Sequence, residues 1–157
     1  MQQSGFAYTN IQPKGRKDDK FSIALGLVHR DFGILKACLK KRPDVMIGTS
    51  TEITHVGKLL RIPAINVNED DFDAVPLFSK MGYPWARCVL APNPCRTGKW
   101  EGKTVHYAGY HELAYLHPNQ FKPDIERIRK YVNADASFFL LRFAKLTAHH
   151  DTGKSGI

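Results

Sequence analysis

Between Phe21 and Tyr107 the hydrophobic period switches repeatedly from helix-like to strand-like and back, and few folds accept such alternation. Phe21, Leu25, Val28, Phe32, Leu35 and Leu39 recur at spacings of three and four, the period of one helix face. They predict a helix over 21–41 with one apolar stripe, while Arg30, Asp31 and Lys40 face elsewhere. Gly26 and Gly33 weaken that helix slightly and suit close packing; Pro43 marks its end. Asp44-Val-Met-Ile-Gly48 reads as a short buried strand. Thr49-Ser-Thr-Glu52 is a capping-box pattern, with Thr49 as N-cap and Glu52 reaching back. The helix it opens runs to about Arg61 and is expected to bury Ile53, Val56, Leu59 and Leu60. Pro63-Ala-Ile-Asn-Val67 is the next strand, and Asn68-Glu-Asp-Asp71 opens a helix carrying Ala74, Leu77, Phe78 and Met81. Pro76 fits only the first turn of that helix. Arg87–Ala91 and Thr104–Tyr107 complete the series, and a short strand is expected near Phe6 to Ile11.

Such alternation predicts βαβ units, hence an α/β, Rossmann-like parallel sheet flanked by helices. Ligands on such sheets gather at the carboxyl ends of the strands. Three ends carry suitable groups: Gly48-Thr49-Ser50, Asn68-Glu69-Asp70 and Gly109-Tyr110-His111-Glu112.

The stretch Tyr107-Ala-Gly-Tyr-His-Glu-Leu-Ala-Tyr-Leu-His-Pro-Asn-Gln-Phe-Lys-Pro-Asp124 differs in kind. Its aromatics supply large area with polar handles, and Pro118 and Pro123 restrict its path. It suits either a stiff crossing between two lobes or an ordered surface loop. Beyond it, Ile125, Ile128, Tyr131 and Val132 suggest a short amphipathic helix, and Ser137–Phe143 a buried strand interrupted by Arg142.

That stretch, with Arg42-Pro-Asp-Val-Met-Ile-Gly48, Leu140-Leu-Arg-Phe143 and Ala148-His-His-Asp-Thr-Gly-Lys-Ser-Gly156, resembles a prokaryotic domain-of-unknown-function family, family three-five-four. The family is similar to the glycosyltransferase-B superfamily, including sugar-nucleotide transferases and UDP-N-acetylglucosamine 2-epimerases. The resemblance covers roughly residues 21 to 157. It implies a partial N-terminal Rossmann-like domain over 1–108, an inter-domain crossing over 109–134, and the start of a C-terminal nucleotide-binding domain over 135–157. The chain is then expected to be a fragment, lacking the family's first strand with its Gly-His-Pro loop and most of the second domain.

Formal net charge is +8 and the sequence pI near 9.5, which suits anionic partners or simply a solvated surface. No lysine–arginine block of nucleic-acid type occurs, and nucleic acid is not an expected partner. Cys38, Cys88 and Cys95 form no Cys-x-x-Cys pair, so neither a disulfide framework nor a zinc ribbon is expected. No signal peptide or apolar run of membrane-spanning length is visible. A cytoplasmic protein is the expectation, with peripheral membrane contact and self-association left open.

Asp151-Thr-Gly-Lys-Ser155 tempts a P-loop reading, but position 148, where the first glycine would fall, is alanine. The resemblance implies instead a phosphate loop over Gly153, Ser155 and Gly156, with Arg142 assisting; the alternative is a structural turn. His149-His150-Asp151 lacks a third ligand, and no metal is expected. His111 and Glu112 are the acid–base candidates, since an inverting transferase needs a base for the acceptor hydroxyl. Glu69 and Asp70, and Thr49 and Ser50, are candidate substrate-binding residues; helix capping is the plainer role for Asp70, Thr49 and Ser50. Two function classes follow. One is part of a sugar-nucleotide-dependent glycosyltransferase of polysaccharide biosynthesis, with a nucleotide-sugar donor and a glycan or lipid-linked acceptor, or an epimerase-like relative. The other is a non-catalytic binding fragment. The chain itself is expected to hold no cofactor.

Overall fold

The computed structural model describes residues 5, 7–13, 20–133 and 135–141. The chain divides into two compact units, one ending at Tyr107 and the other starting at Ala108.

In the first unit, α1 (Lys20–Lys40) precedes β1 (Met46–Gly48), α2 (Thr51–Leu60), β2 (Ala64–Val67), α3 (Pro76–Gly82), β3 (Cys88–Pro92), a 3-10 helix (Gly98–Lys103) and β4 (Thr104–Tyr107). The strands form one all-parallel sheet in the order β1-β2-β3-β4. Its register runs Gly48 to Asn66, Asn66 to Val89 and Val89 to Thr104. The expected α/β, Rossmann-like architecture is thus present, with each strand within about two residues of its predicted place. No strand occurs over 7–11; that segment instead packs Ile11 onto α1, where a Cβ at Gly33 would meet the Ile11 side chain at 2.2 Å.

The core lies between the sheet and the helices. Met46, Ala64, Asn66, Val89 and Ala91 alternate along the strands and are buried, as period-2 geometry requires for one covered face. Val56 of α2 joins Met46, Ala64, Ile62 and Cys38, flanked by Ile53 and Leu60. Gly57 lets α2 close onto β2, since a Cβ there would sit 2.9 Å from both the Ala64 Cβ and the Ile62 carbonyl oxygen. Tyr83, fully buried, meets Trp100 and Phe78 edge-on with ring centroids 5.3 and 6.0 Å away, a favoured aromatic geometry. Leu59, expected inside, is exposed.

The orientation of α1 reverses the sequence reading. Phe21, Leu25, Val28, Phe32 and Leu39 point outward, and the face carrying Arg30 and Asp31 meets α2. Arg30 pairs with Glu52, which is only 2% exposed, and its other nitrogen donates to the Gln12 side chain at 3.0 Å. Asp31 lies 3.2 Å from His55 Nδ1, whose Nε2 lies 3.1 Å from the Met81 carbonyl oxygen. A buried carboxylate without a partner costs several kcal/mol, so Glu52 draws the Arg30 face inward. The capping box is likewise overturned: Ser50 is the N-cap, no side chain caps the helix, and Glu52 is committed to Arg30.

In the second unit, α4 (Leu113–Leu116) and α5 (Glu126–Arg129) are single turns. Tyr131 and Ile125 are exposed, so no amphipathic helix buries them. Ser137–Leu141 is neither paired nor buried, and Phe139 and Leu140 are almost wholly exposed. Among the described residues no neighbouring strand accepts the backbone bonds that a buried strand needs. Arg142 and Phe143 lie outside the described residues.

Candidate functional site

The carboxyl ends of β2 and β3, with the 3-10 helix and β4, enclose an open depression of roughly 600 Å³. It is lined by Phe72, Asn93–Arg96, Gly98, Glu101 and His106. Two loops build its rim. Asn68 follows β2, where its side-chain amide donates to the Tyr83 hydroxyl at 2.7 Å and to the Asp70 carbonyl oxygen at 2.9 Å. This shapes the turn that exposes Asp70. Asp71 accepts the Arg96 backbone N–H at 2.8 Å and the Arg96 guanidinium at 2.9 Å, and Asp73 takes the same guanidinium at 3.1 Å. Arg96 therefore ties the loop after β3 to the loop after β2. The Arg96 amide and then its guanidinium hold the Asp71 carboxyl below the usual range.

The chemistry inside is constrained by saturation. Glu101 Oε2 accepts the Thr97 hydroxyl at 2.6 Å, and Oε1 lies 2.5 Å from His106 Nε2. His106 Nδ1 lies 3.1 Å from the Pro92 carbonyl oxygen. Both ring nitrogens thus face groups that only accept, which favours the doubly protonated ring. Glu101 first and the Pro92 carbonyl second raise the His106 pKa; the Thr97 hydroxyl first and His106 second lower that of Glu101. His106 offers charge to a ligand, not a lone pair. Cys95 donates to the Glu69 carbonyl oxygen at 2.9 Å. Burial and then the charges of Asp71, Glu69 and Asp70 push its thiol up, away from a nucleophilic thiolate. Among the described residues no group of three His, Cys, Asp or Glu side chains could hold a metal ion.

The predicted residues divide. Thr49 and Ser50 follow β1, Glu69 and Asp70 follow β2, and these ends adjoin at one edge of the sheet. Asn66 reinforces this by donating to the Ser50 carbonyl oxygen at 3.2 Å. His111 and Glu112 belong to the second unit, at the start of α4, where their carbonyl oxygens accept from Ala114, Tyr115 and Leu116. Arg142, Gly153, Ser155 and Gly156 lie outside the described residues. Asn93, Cys95, Arg96, Glu101 and His106 were missed. The strand-end rule already pointed to the residues after β3, where Asn93–Arg96 lie. The pairing of Glu101 with His106 has no sequence signal, because it depends on a 3-10 turn folding back along β4.

No protein family, curated protein or solved structure was found to match the chain.

Proposed function

We propose that this chain is the acceptor-binding part of a cytoplasmic, sugar-nucleotide-dependent glycosyltransferase of polysaccharide biosynthesis. The observation that carries this is the acidic loop after β2, where Asp70 is exposed and Glu69, Asp71 and Asp73 stand near it, the last two bridged by Arg96. Carboxylates accept hydrogen bonds from sugar hydroxyls, and the exposed Asp70 carboxylate disfavours an anion beside it. This unit therefore suits the glycan or lipid-linked acceptor rather than the donor. The motif resemblance supports the same division. It leaves the nucleotide-sugar to Arg142, Gly153, Ser155 and Gly156, and base catalysis to Glu112 and His111. Thr49 and Ser50 extend the acceptor surface along the neighbouring strand end. A second reading, a binding module without chemistry of its own, is favoured by the internal commitment of Glu101 and His106.

Calorimetric titration of the chain with neutral oligosaccharides, and with UDP-sugars for comparison, tests the assignment. Saccharide binding should weaken about tenfold in Asp70→Asn, the loss of about 1.4 kcal/mol, and UDP-sugars should bind negligibly. Tight, saturable UDP-sugar binding would overturn it. In a transferase containing this region, Glu112→Gln should lower kcat with little change in donor affinity. Arg142→Ala should instead weaken the donor.

A further inference from the structure

The outward face of α1 carries an apolar row and, beside it, a basic one. Phe21 is 74% exposed, Phe32 64% and Leu39 70%, with Leu25 and Val28 about half exposed. Leu35, the sixth residue of that period, packs against the core cluster instead. The five that remain run nearly the whole length of the helix, about 27 Å at 1.5 Å per residue. His29, Lys36 and Lys40 follow one another at intervals of seven and four, which keeps them along one border of the apolar row. All three are exposed.

From Lys20 to Arg42 there are six lysines and arginines and one acid, Asp31. His55 engages that acid on the inner face. Arg30 and Arg42 are engaged as well, by Glu52 and by the Leu60 carbonyl oxygen. The outward face of α1 is therefore apolar and cationic, with no carboxylate of its own.

We propose that α1 lies flat on the surface of an anionic lipid bilayer. Phe21, Leu25, Val28, Phe32 and Leu39 enter the acyl boundary, and Lys36 and Lys40 stay at the headgroups, as in interfacial amphipathic helices. The row offers on the order of 500 Å² of apolar surface, given 150–250 Å² for a buried aromatic. A protein partner of standard size would bury about 800 Å² per side with matching shape; a bilayer requires neither. Charge then selects the lipid. Lysine stems lie along apolar surface while the ammonium reaches the phosphate level. On an anionic leaflet each lysine strengthens the partition about fivefold. Among the described residues no helix is long and apolar enough to cross a membrane, so α1 rests along the surface. Its inner face stays on α2 through Arg30 and Asp31. The apolar row shares no residue with the rim at the strand ends, and lipid binding by α1 does not depend on what the rim holds.

Flotation of the full chain with vesicles of phosphatidylcholine alone, and of phosphatidylcholine mixed with phosphatidylserine, reads the binding. The chain should float with the anionic vesicles only, and less so as salt is raised. Phe32→Gln/Leu39→Gln removes apolar area at two exposed positions without changing charge, and should lower the partition at least roughly tenfold. Lys36→Gln/Lys40→Gln should lower it about thirtyfold. Both double variants should keep the wild-type far-UV circular dichroism. A chain that stays unbound with anionic vesicles overturns the proposal. So does equal flotation with phosphatidylcholine alone. Anionic binding that Phe32→Gln/Leu39→Gln leaves unchanged would be charge attraction only, and would overturn it too. A chain indifferent to lipid that doubles in mass in sedimentation equilibrium, and is returned to monomer by Phe32→Gln/Leu39→Gln, would give the row to a second copy instead.

Discussion

Arg30 and Glu52 show how one residue pair decides a packing direction. Burial alone would raise the Glu52 pKa; its backbone hydrogen bond and the Arg30 guanidinium outweigh that and leave it lowered. Glu52→Gln should therefore destabilise the first unit by about 2 kcal/mol, the worth of a charge-assisted bond. Urea titration should show the deficit shrinking as pH falls below 4.5, because a depressed carboxyl loses its contribution on protonation. At the rim, Glu101 is lowered from 4.5 and His106 raised from 6.5. The Glu101 contribution is present above 4.5 and lost as pH falls through its depressed value. The His106 contribution is complete below 6.5 and lost as pH rises through its elevated value. The stability gap between wild type and His106→Asn should thus be widest between pH 4.5 and 6.5 and should narrow on both sides. A gap that kept growing up to pH 9 would contradict the ion pair.

At the scale of elements, α2 is held by the closeness that Gly57 allows. Alanine there would gain about 1 kcal/mol of helix propensity. It would also push a methyl to 2.9 Å from the Ala64 Cβ and the Ile62 carbonyl oxygen. Overpacking against backbone costs about 1–3 kcal/mol, so Gly57→Ala should lower the unfolding midpoint despite the better propensity. The turn after α2 adds a second constraint: Arg61 occupies the left-handed region at φ 55°, and the Ile62 amide donates to the Gly57 carbonyl oxygen at 2.8 Å. Such a C-cap usually falls to glycine. Arg61→Gly should be tolerated or mildly stabilising, which thermal unfolding would read.

For the molecule as a whole, the covering of the sheet governs stability. Its strands are all parallel, and parallel sheets are ordinarily covered on both faces. In the first unit the buried side chains alternate toward α2 and α3, while Ile47 and Val105 on the opposite face are exposed. Ile47 is 63% exposed, so Ile47→Lys should shift the unfolding free energy by no more than about 0.5 kcal/mol. It should also reduce binding of an apolar dye. A large loss of stability would mean that this face is already packed. Among the described residues no helix is long and apolar enough to cross a membrane.

Element type and order were legible in the sequence because both are written locally. The period of three and four names α1, short apolar runs bounded by Pro and Gly name the strands, and alternation makes the sheet parallel. Pro76 at the start of α3 was legible for the same reason, whereas the contact of Ile11 with Gly33 was not, because it joins α1 to a segment that reads as a strand. The strand-end rule pointed to Glu69 and Asp70, and they follow β2 directly. Which face of α1 turns inward was decided by tertiary structure alone. An apolar stripe is stabilised by any dry surface, whereas the buried Glu52 carboxylate needs one cation at one place, and Arg30 supplies it. The pairing of Arg96 with Asp71 and of Glu101 with His106 also arose only on folding, because each joins residues brought together by loops whose path no local period encodes.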